Sequence, residues 1–347
     1  MIHTLELGIG TPQLWGITLV AVLALFVADF LVTRKPHEVS ITEAIGWSVF
    51  YIALPVAFGG WIWLQYGQQI GFQYYAGYLV EKSLSVDNLF VFMLLLASFA
   101  VPRELQQRVL LIGVAGALML RGVFIAVGAA MLANFAWTFL LFGAILLATA
   151  VKVLRDARNP AEQEIDPDRM RVVRLVRRLY PVTDGYRGTR MSLIENGRRA
   201  LTPLALATVA ILATDVVFAV DSVPAVYGIT GDPYLVFVTN AFALLGLRAL
   251  YFVLEGLLGA LVHLGYGLAA ILAFIGVKLV LHWAHGIWPA VPTVATEASL
   301  VVIVAILATV VLTSVLANRR TARREAAHVG VEARPDSAEL QDPDGGQ

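Results

Sequence analysis

Two short segments of this sequence carry pairs of acidic residues inside long apolar stretches. The segment EKSLSVDN contains Glu81 and Asp87, and the segment DVVFAVDS contains Asp215 and Asp221. An ionisable side chain near the centre of a bilayer is costly, so it usually faces a cavity and marks an ion or substrate pathway. The four acids are therefore the first candidates for a functional site.

The residues beside these acids would complete a site made of oxygen ligands. Asn88 follows Asp87, and Ser222 follows Asp221. Hard divalent cations such as Mn²⁺, Ca²⁺ and Mg²⁺ prefer such ligands, although oxygen ligands alone do not choose among them. The chain has no cysteine, which excludes thiolate ligands and disulfides. The predicted metal ligands are Glu81, Asp87, Asn88, Asp215, Asp221 and Ser222.

The spacing of the acids makes a demand on the helices that carry them. Six residues correspond to about 240° of rotation on a regular α-helix, so the two acids of a pair would not share a face. Pro224 removes a backbone donor and should kink its helix, while Ser83 and Ser85 could disturb the other. We therefore expect both helices to be broken near the acids, with carbonyl oxygens exposed to a cavity.

Two arginines near the middle of apolar segments, Arg121 and Arg248, offer another explanation for the acids. Buried salt bridges would hold helices together, and breaking one would cost several kcal/mol. A salt bridge can also act as a gate, so charge pairing and a cation site are compatible. The candidate pairs are Arg121 with Glu81 or Asp87, and Arg248 with Asp221 or Asp215.

Other polar residues in the apolar segments carry weaker signals. Asp29 falls near the end of its segment and is expected at the membrane interface. Asn240 and Glu255 could line a pathway, whereas Lys82 has no evident place.

The elements that must position these residues are transmembrane helices. The chain has 347 residues, of which 59% are hydrophobic and 14% charged, with a mean hydropathy of +0.76. A helix needs about 20 apolar residues to cross a bilayer. We therefore predict an all-α polytopic membrane protein with about nine transmembrane helices. The predicted spans are approximately 12–32, 41–65, 73–100, 108–132, 135–155, 203–228, 234–259, 263–283 and 296–318.

Basic residues orient these spans. The first, third and fifth connections and the C-terminal tail contain Lys or Arg, whereas the second, fourth, sixth and eighth contain none. Because cytoplasmic loops carry the excess of basic residues, the N-terminus is predicted outside and the C-terminus in the cytoplasm. The first residues lack the basic start of a signal peptide, so the first span is expected to be retained.

The long basic loop and the tail complete the predicted domain organisation, in which 1–318 form the transmembrane domain. Within the cytoplasmic loop 156–202, DRMRVVRLVRRLY would form a helix with valines on one side and arginines on the other. Such a helix suits an anionic membrane surface, although an ordinary basic loop is an equally open interpretation. The polar tail 319–347 is expected to be disordered.

An internal repeat relates the two acidic segments. EKSLSVDN aligns with DVVFAVDS, Arg121 aligns with Arg248, and Lys152 aligns with Lys278, in the same order and at nearly the same offset. Each copy has three helices, about 73–155 for repeat A and about 203–283 for repeat B. An odd number of helices inverts the second copy, as in many secondary transporters whose site lies at the repeat interface near the midplane.

At these residues the sequence resembles the TerC family of bacterial membrane proteins. The resemblance rests on EKSLSVDNLFVF, on ATDVVFAVDSVPAVYGIT and on NAFALLGLRALYF, and it covers about 1–318. It implies a bacterial inner (plasma) membrane protein with a LysE-like 3+3 inverted core. It also implies a connection with tellurium resistance and, for Alx-like members, with manganese efflux. The choice of Mn²⁺ rests on this resemblance.

The predicted function is therefore export of a divalent metal ion, Mn²⁺, with proton antiport as the coupling. The sequence has no Walker motif and no catalytic motif of an intramembrane hydrolase, so no enzyme activity or cofactor is expected. The expected partners are the lipid bilayer and the metal ion, without nucleic acid, and a homo-oligomer or membrane complex stays open. The alternative is a membrane scaffold that delivers metal to secreted enzymes or anchors a tellurium or metal stress-resistance complex.

Overall fold

The computed structural model describes residues 8–32, 40–159, 166–183, 185–195, 198–256 and 263–332, and these are almost entirely helical. The helices are α1 Pro12–Val32, α2 Ile41–Tyr66, α3 Gln68–Ser98, α4 Arg103–Asn134, α5 Thr138–Arg158, α6 Arg171–Leu179, α7 Pro203–Tyr227, α8 Pro233–Leu245, α9 Leu247–Gly256, α10 Leu264–Ile287 and α11 Thr296–Glu332. A 3₁₀ turn at Pro167–Arg169 precedes α6. The strands β1 Ser192–Glu195 and β2 Arg198–Leu201 pair in antiparallel fashion between α6 and α7.

Helices occupy the positions of the nine predicted spans. Among the described residues, seven helices are long and apolar enough to cross a membrane, and the bent pair α8–α9 makes an eighth. Helix α3 is not in this group, and its middle contains the charged residues Glu81, Lys82 and Asp87. The chain is therefore an all-α, multi-pass integral membrane protein.

The predicted breaks in the two acid-bearing helices are wrong. Helix α3 is continuous from Gln68 to Ser98, and α7 is continuous to Tyr227. The hydroxyl of Ser83 donates to the carbonyl of Leu79 at 2.6 Å, so it is satisfied within the regular helix. Pro224 falls in the last turn of α7, where little helix remains to be interrupted.

The break lies instead in the seventh predicted span, where α8 and α9 meet at Gly246 with a bend of 40°. A Cβ atom on Gly246 would lie 2.9 Å from Cβ of Tyr51 and 3.1 Å from Nζ of Lys82. Glycine therefore permits α2 and α3 to approach the bend closely. This contact also gives Lys82 a place that the sequence did not predict.

Each helix of the first predicted repeat packs against a helix of the second. Helix α4 packs against α7, α3 packs against α8, and α5 packs along α10. Two glycines allow a close approach of α5 and α10, since a Cβ on Gly143 would be 2.9 Å from the carbonyl oxygen of Gly276. Exchanging α3 with α7, α4 with α8 and α5 with α10 leaves these pairs unchanged. An inverted repeat requires this arrangement, but the repeat and its boundaries stay a prediction.

Helices α1 and α11 expose large apolar side chains at the outside of the protein. Val20 and Leu23 on α1 and Leu312 and Leu316 on α11 are all more than half exposed. Such side chains need a hydrocarbon environment in place of water, which agrees with contact to lipid.

The described part of the long basic loop, within 166–202, is folded and packs at the ends of α3, α4 and α7, and we call it the basic cap. Val173 of α6 is fully buried in an apolar cluster with Leu96 and Leu204. The hydroxyl of Tyr186 donates to the carbonyl of Phe99 at 2.7 Å and ties the loop to the end of α3. The sequence indicated the amphipathic helix but not the hairpin that follows it.

The expectation of disorder from residue 319 onwards is wrong for the first part of the tail. Helix α11 continues beyond the predicted end of its span to Glu332. Alanine, arginine and glutamate are strong helix formers, so the composition of this segment propagates the helix. The remainder of the tail, 333–347, lies outside the described residues.

Candidate functional site

A single arginine in α4 joins the two acidic segments in the interior of the protein. Arg121 is fully buried, and it forms ion pairs with Glu81 of α3 and with Asp215 of α7. Its Nη2 lies 3.5 Å from Oδ1 of Asp215, and its Nη1 donates to Oδ1 of Asn240 of α8 at 2.9 Å. One guanidinium therefore joins the four helices α3, α4, α7 and α8, which belong to both predicted repeats.

Asn88 completes this group, which we call the Arg121 cluster: Arg121, Glu81, Asn88, Asp215 and Asn240. With its amide oxygen turned towards the arginine, Asn88 accepts a hydrogen bond from Nη2 of Arg121 at 3.3 Å. Its amide nitrogen then donates to the carbonyl of Leu84 at 3.1 Å. This orientation satisfies both ends of the amide, which is the basis for assigning it.

Regular helix geometry explains which residues meet. Residues seven apart are rotated by about 20° and share a face, so Glu81 lies above Asn88 on α3 and Asp215 lies above Ser222 on α7. Ser85 lies on the same face of α3. The hydroxyls of Ser85 and Ser222 and Oδ2 of Asp215 are buried and have no hydrogen-bond partner within the described part of the chain. These faces therefore contain oxygen atoms with unused capacity to bind a donor or a cation.

The second acid of each pair lies beside the cluster. Asp87 and Asp221 are half-buried, six residues after Glu81 and Asp215, and they are within electrostatic range of each other. Asp87 is also within range of Asp156 of α5. In the described residues, no three carboxylate or imidazole groups lie close enough together to hold a metal ion. In this arrangement the positive charge at the cluster is the guanidinium of Arg121.

Arg248 has a different partner from the one predicted. Its Nε donates to Oδ2 of Asp29 at 3.1 Å and its Nη2 donates to Oδ1 at 2.5 Å. Both side chains are buried, and the hydroxyl of Tyr51 of α2 hydrogen-bonds to the same carboxylate. The predicted pairing of Arg248 with Asp215 or Asp221 is wrong, and Asp29 is buried against Arg248 inside the protein.

Two of the weaker sequence signals have different outcomes. Asn240 belongs to the Arg121 cluster, a contact that the sequence did not predict, and its place along a pathway stays a prediction. The side chain of Glu255 lies outside the described residues, so its proposed place along a pathway stays a prediction.

Comparison with known proteins places the chain in one family. Residues 66–322 match the integral membrane protein TerC family. The uncharacterized membrane protein STKORF319 of Myxococcus xanthus is 41% identical over 273 residues, which cover 78% of this chain and 84% of that protein. The uncharacterized membrane protein Rv2723 of Mycobacterium tuberculosis is 42% identical over 272 residues, covering 78% of this chain and 68% of that protein.

A further relative has a name that suggests a role. The putative membrane-bound redox modulator Alx of Escherichia coli is 38% identical over 283 residues, which cover 79% of this chain and 87% of that protein. No solved structure matches the chain significantly. The family match and the three relatives together show that the chain belongs to the TerC family of integral membrane proteins.

Proposed function

We propose that the chain is a secondary transporter that exports a divalent metal ion, Mn²⁺, in exchange for protons. The observation that supports this most strongly is the Arg121 cluster, in which one guanidinium lies between two buried carboxylates from α3 and α7. Transporters built from inverted repeats bind substrate at the interface of the repeats. The cluster lies at the corresponding interface of the repeats predicted here.

The charge of the cluster favours a cation as the substrate. Glu81 and Asp215 carry two formal negative charges, and Arg121 compensates one of them. A divalent ion would supply two positive charges and so balance both carboxylates. It would find oxygen ligands in these carboxylates, in the amides of Asn88 and Asn240 and in nearby hydroxyls. Arg121 would then have to move away as the ion enters, so the arginine and the metal would compete for the same carboxylates.

Protons provide a natural way to release the ion. Protonation of Glu81 or Asp215 removes ligand charge and so lowers the affinity for metal. Asp87 and Asp221, which lie half-buried beside the cluster, would relay ions or protons to it. Together these carboxylates would couple metal movement in one direction to proton movement in the other.

The identity of the ion and the orientation of the chain are part of the same proposal. Mn²⁺ is chosen because of the family resemblance, since oxygen ligands do not separate it from Ca²⁺ or Mg²⁺. Lys and Arg in the basic cap and at the adjacent helix ends favour a cytoplasmic location for that side of the membrane. The name of the Alx relatives suggests redox modulation, but this chain has no cysteine with which to perform thiol chemistry.

The test is metal transport by the purified protein in proteoliposomes. We expect Mn²⁺ accumulation driven by an opposing pH gradient, and loss of it in Glu81→Gln and Asp215→Asn. Glu297→Gln, an exposed acid at the start of α11, serves as the matched control and should transport normally. Unchanged Mn²⁺ uptake in both site variants, or no uptake of any divalent ion by the folded protein, would contradict the proposal.

The scaffold alternative makes a different prediction in cells. Removing 319–347 should abolish metal delivery or stress resistance by a scaffold, because the contact surface would be lost. The same deletion should leave transport in proteoliposomes intact. Metal resistance that survives the deletion but not Asp215→Asn therefore favours the transporter.

A further inference from the structure

Helix α6 in the basic cap exposes an apolar face that the rest of the described chain does not cover. Val173 faces inwards and is fully buried against α7. On the other side, Leu175 is 56% exposed, Leu179 is 65% exposed and the following Tyr180 is 50% exposed. A nine-residue helix that exposes two leucines to water would be unfavourable, so this face is expected to contact something apolar.

Arginines surround the exposed leucines. On a helix, Arg171 and Arg178 lie on either side of Leu175, four residues before it and three after it, and Arg174 is adjacent. All three arginines are exposed and form no ion pair with another described residue. By contrast, Arg177 at the edge of this face pairs with Asp168 at 3.3 Å. The outward face of α6 therefore combines apolar side chains with positive charge that no acidic side chain in the described residues compensates.

The cap holds this face at the level where membrane-spanning helices end. Val173 packs in the same cluster as Leu96 near the end of α3 and Leu204 at the start of α7. The hydroxyl of Thr202 at the start of α7 donates to the carbonyl of Arg190 at 2.8 Å, which fastens the loop to that helix. Helix α6 is thus anchored at the ends of membrane-spanning helices without itself being a span.

We infer that the outward face of α6 binds anionic lipid headgroups of the adjacent leaflet. Leu175 and Leu179 would enter the boundary between headgroups and acyl chains, and Arg171, Arg174 and Arg178 would contact the phosphates. Interfacial helices with apolar side chains on one face and basic residues around them bind membranes in this way. A second copy of the same face fits less well, because it would bring like charges together. This inference is independent of the metal site.

The absence of cysteine allows a direct test on the full-length chain. Leu175→Cys is labelled with an environment-sensitive fluorophore, and the protein is placed in nanodiscs of phosphatidylcholine with increasing fractions of phosphatidylglycerol. We expect a blue shift and protection from iodide as phosphatidylglycerol is added, and reversal of both at high salt. Each arginine near an anionic surface contributes roughly a fivefold preference. The triple change of Arg171, Arg174 and Arg178 to Gln should therefore require much more phosphatidylglycerol for the same protection.

A charge-matched variant separates local binding from overall charge. Changing Arg187, Arg190 and Arg199 to Gln removes the same charge elsewhere in the cap and should leave the response of the label nearly unchanged. Full iodide access to the label in both lipids would overturn the inference, as would equal effects of the two triple variants. Protection that rises with protein concentration and not with phosphatidylglycerol would instead indicate a second copy and would also overturn it. Size-exclusion chromatography confirms that each variant is folded.

Discussion

The two buried arginines, Arg121 and Arg248, align in the predicted repeat but differ in the number of carboxylates that they contact. Arg248 meets one carboxylate, that of Asp29, through two hydrogen bonds that close the pair on itself. Arg121 is shared between Glu81 and Asp215, so its cluster keeps an excess of formal negative charge. A two-bonded neutral pair is well suited to join helices permanently. A shared guanidinium beside excess carboxylate charge is better suited to be replaced by another cation.

The partners of the two arginines support the same distinction between a functional site and a structural ion pair. Arg121 binds side chains from α3, α7 and α8, which all belong to the predicted repeats. Arg248 binds Asp29 from α1, which lies outside them. We therefore interpret the Arg121 cluster as the working site and the Arg248–Asp29 pair as the tie that holds α1 to the core.

The largest expected effect comes from removing the shared arginine. Arg121→Gln leaves two buried carboxylates without a compensating charge, which should lower the free energy of unfolding by about 3–5 kcal/mol. Arg121→Lys retains the charge and should recover part of this loss. Thermal unfolding in detergent measures both. A loss below about 1 kcal/mol, the value of an exposed pair, would show that the cluster is not a buried charge network.

Disrupting the other arginine should affect stability without affecting transport. Asp29→Leu leaves Arg248 buried and unpaired, at an expected cost of about 3 kcal/mol. The double change Asp29→Leu with Arg248→Met replaces both charges by apolar groups and should recover most of that stability. Mn²⁺ uptake per folded protein should stay near the unmodified level in the double variant. Loss of uptake in a stable double variant would give Arg248 a role in transport.

A smaller effect is expected from the amide that orients Arg121. Asn240→Leu removes the hydrogen bond to Nη1 of Arg121 and should cost about 1.5–3 kcal/mol, since one partner of the bond is charged. Asn240→Asp would add negative charge and should strengthen metal binding. Unfolding and Mn²⁺ titration of the two variants give both values. If they behave alike, Asn240 does not act through its amide oxygen.

The smallest effect is expected at an exposed ion pair in the cap. Arg169 and Asp166 pair at 3.1 Å, but both are largely exposed. Arg169→Gln should change the free energy of unfolding by less than about 1 kcal/mol and leave transport unaltered. A change as large as that of Arg121→Gln would mean that burial does not explain the difference between this pair and the Arg121 cluster.

Apolar composition predicts much of this architecture because it reports directly on the membrane. The helices occupy the predicted spans, and the interior acids and arginines stand out against their neighbours. The prediction of which site residues share a helix face was less accurate. Pairing acids six residues apart required broken helices, whereas Glu81 and Asn88, seven apart, share a face of a regular helix. Asp215 and Ser222 have the same spacing, so the signal was present in the sequence.

The pairing of Arg248 could not be read from the sequence because its partner is distant and has no counterpart in the repeat. Asp29 lies 219 residues away along the chain, on a helix outside the repeated segments. Its place near the end of a span suggested the interface, where an aspartate needs no partner. The contact depends on how α1 packs against the core. The local pattern of apolar and charged residues in the sequence contains no information on that packing. The bend at Gly246 was missed for a similar reason, since the close approach of Tyr51 and Lys82 is a tertiary feature.

The most direct test of the central claim is Mn²⁺ binding to the purified protein, measured by electron paramagnetic resonance of the free ion. We expect saturable binding that is lost in Glu81→Gln and in Asp215→Asn, and retained in the Asp29→Leu, Arg248→Met double variant. Binding that is the same in all of these proteins, or that is lost in the double variant and retained in the two site variants, would contradict it.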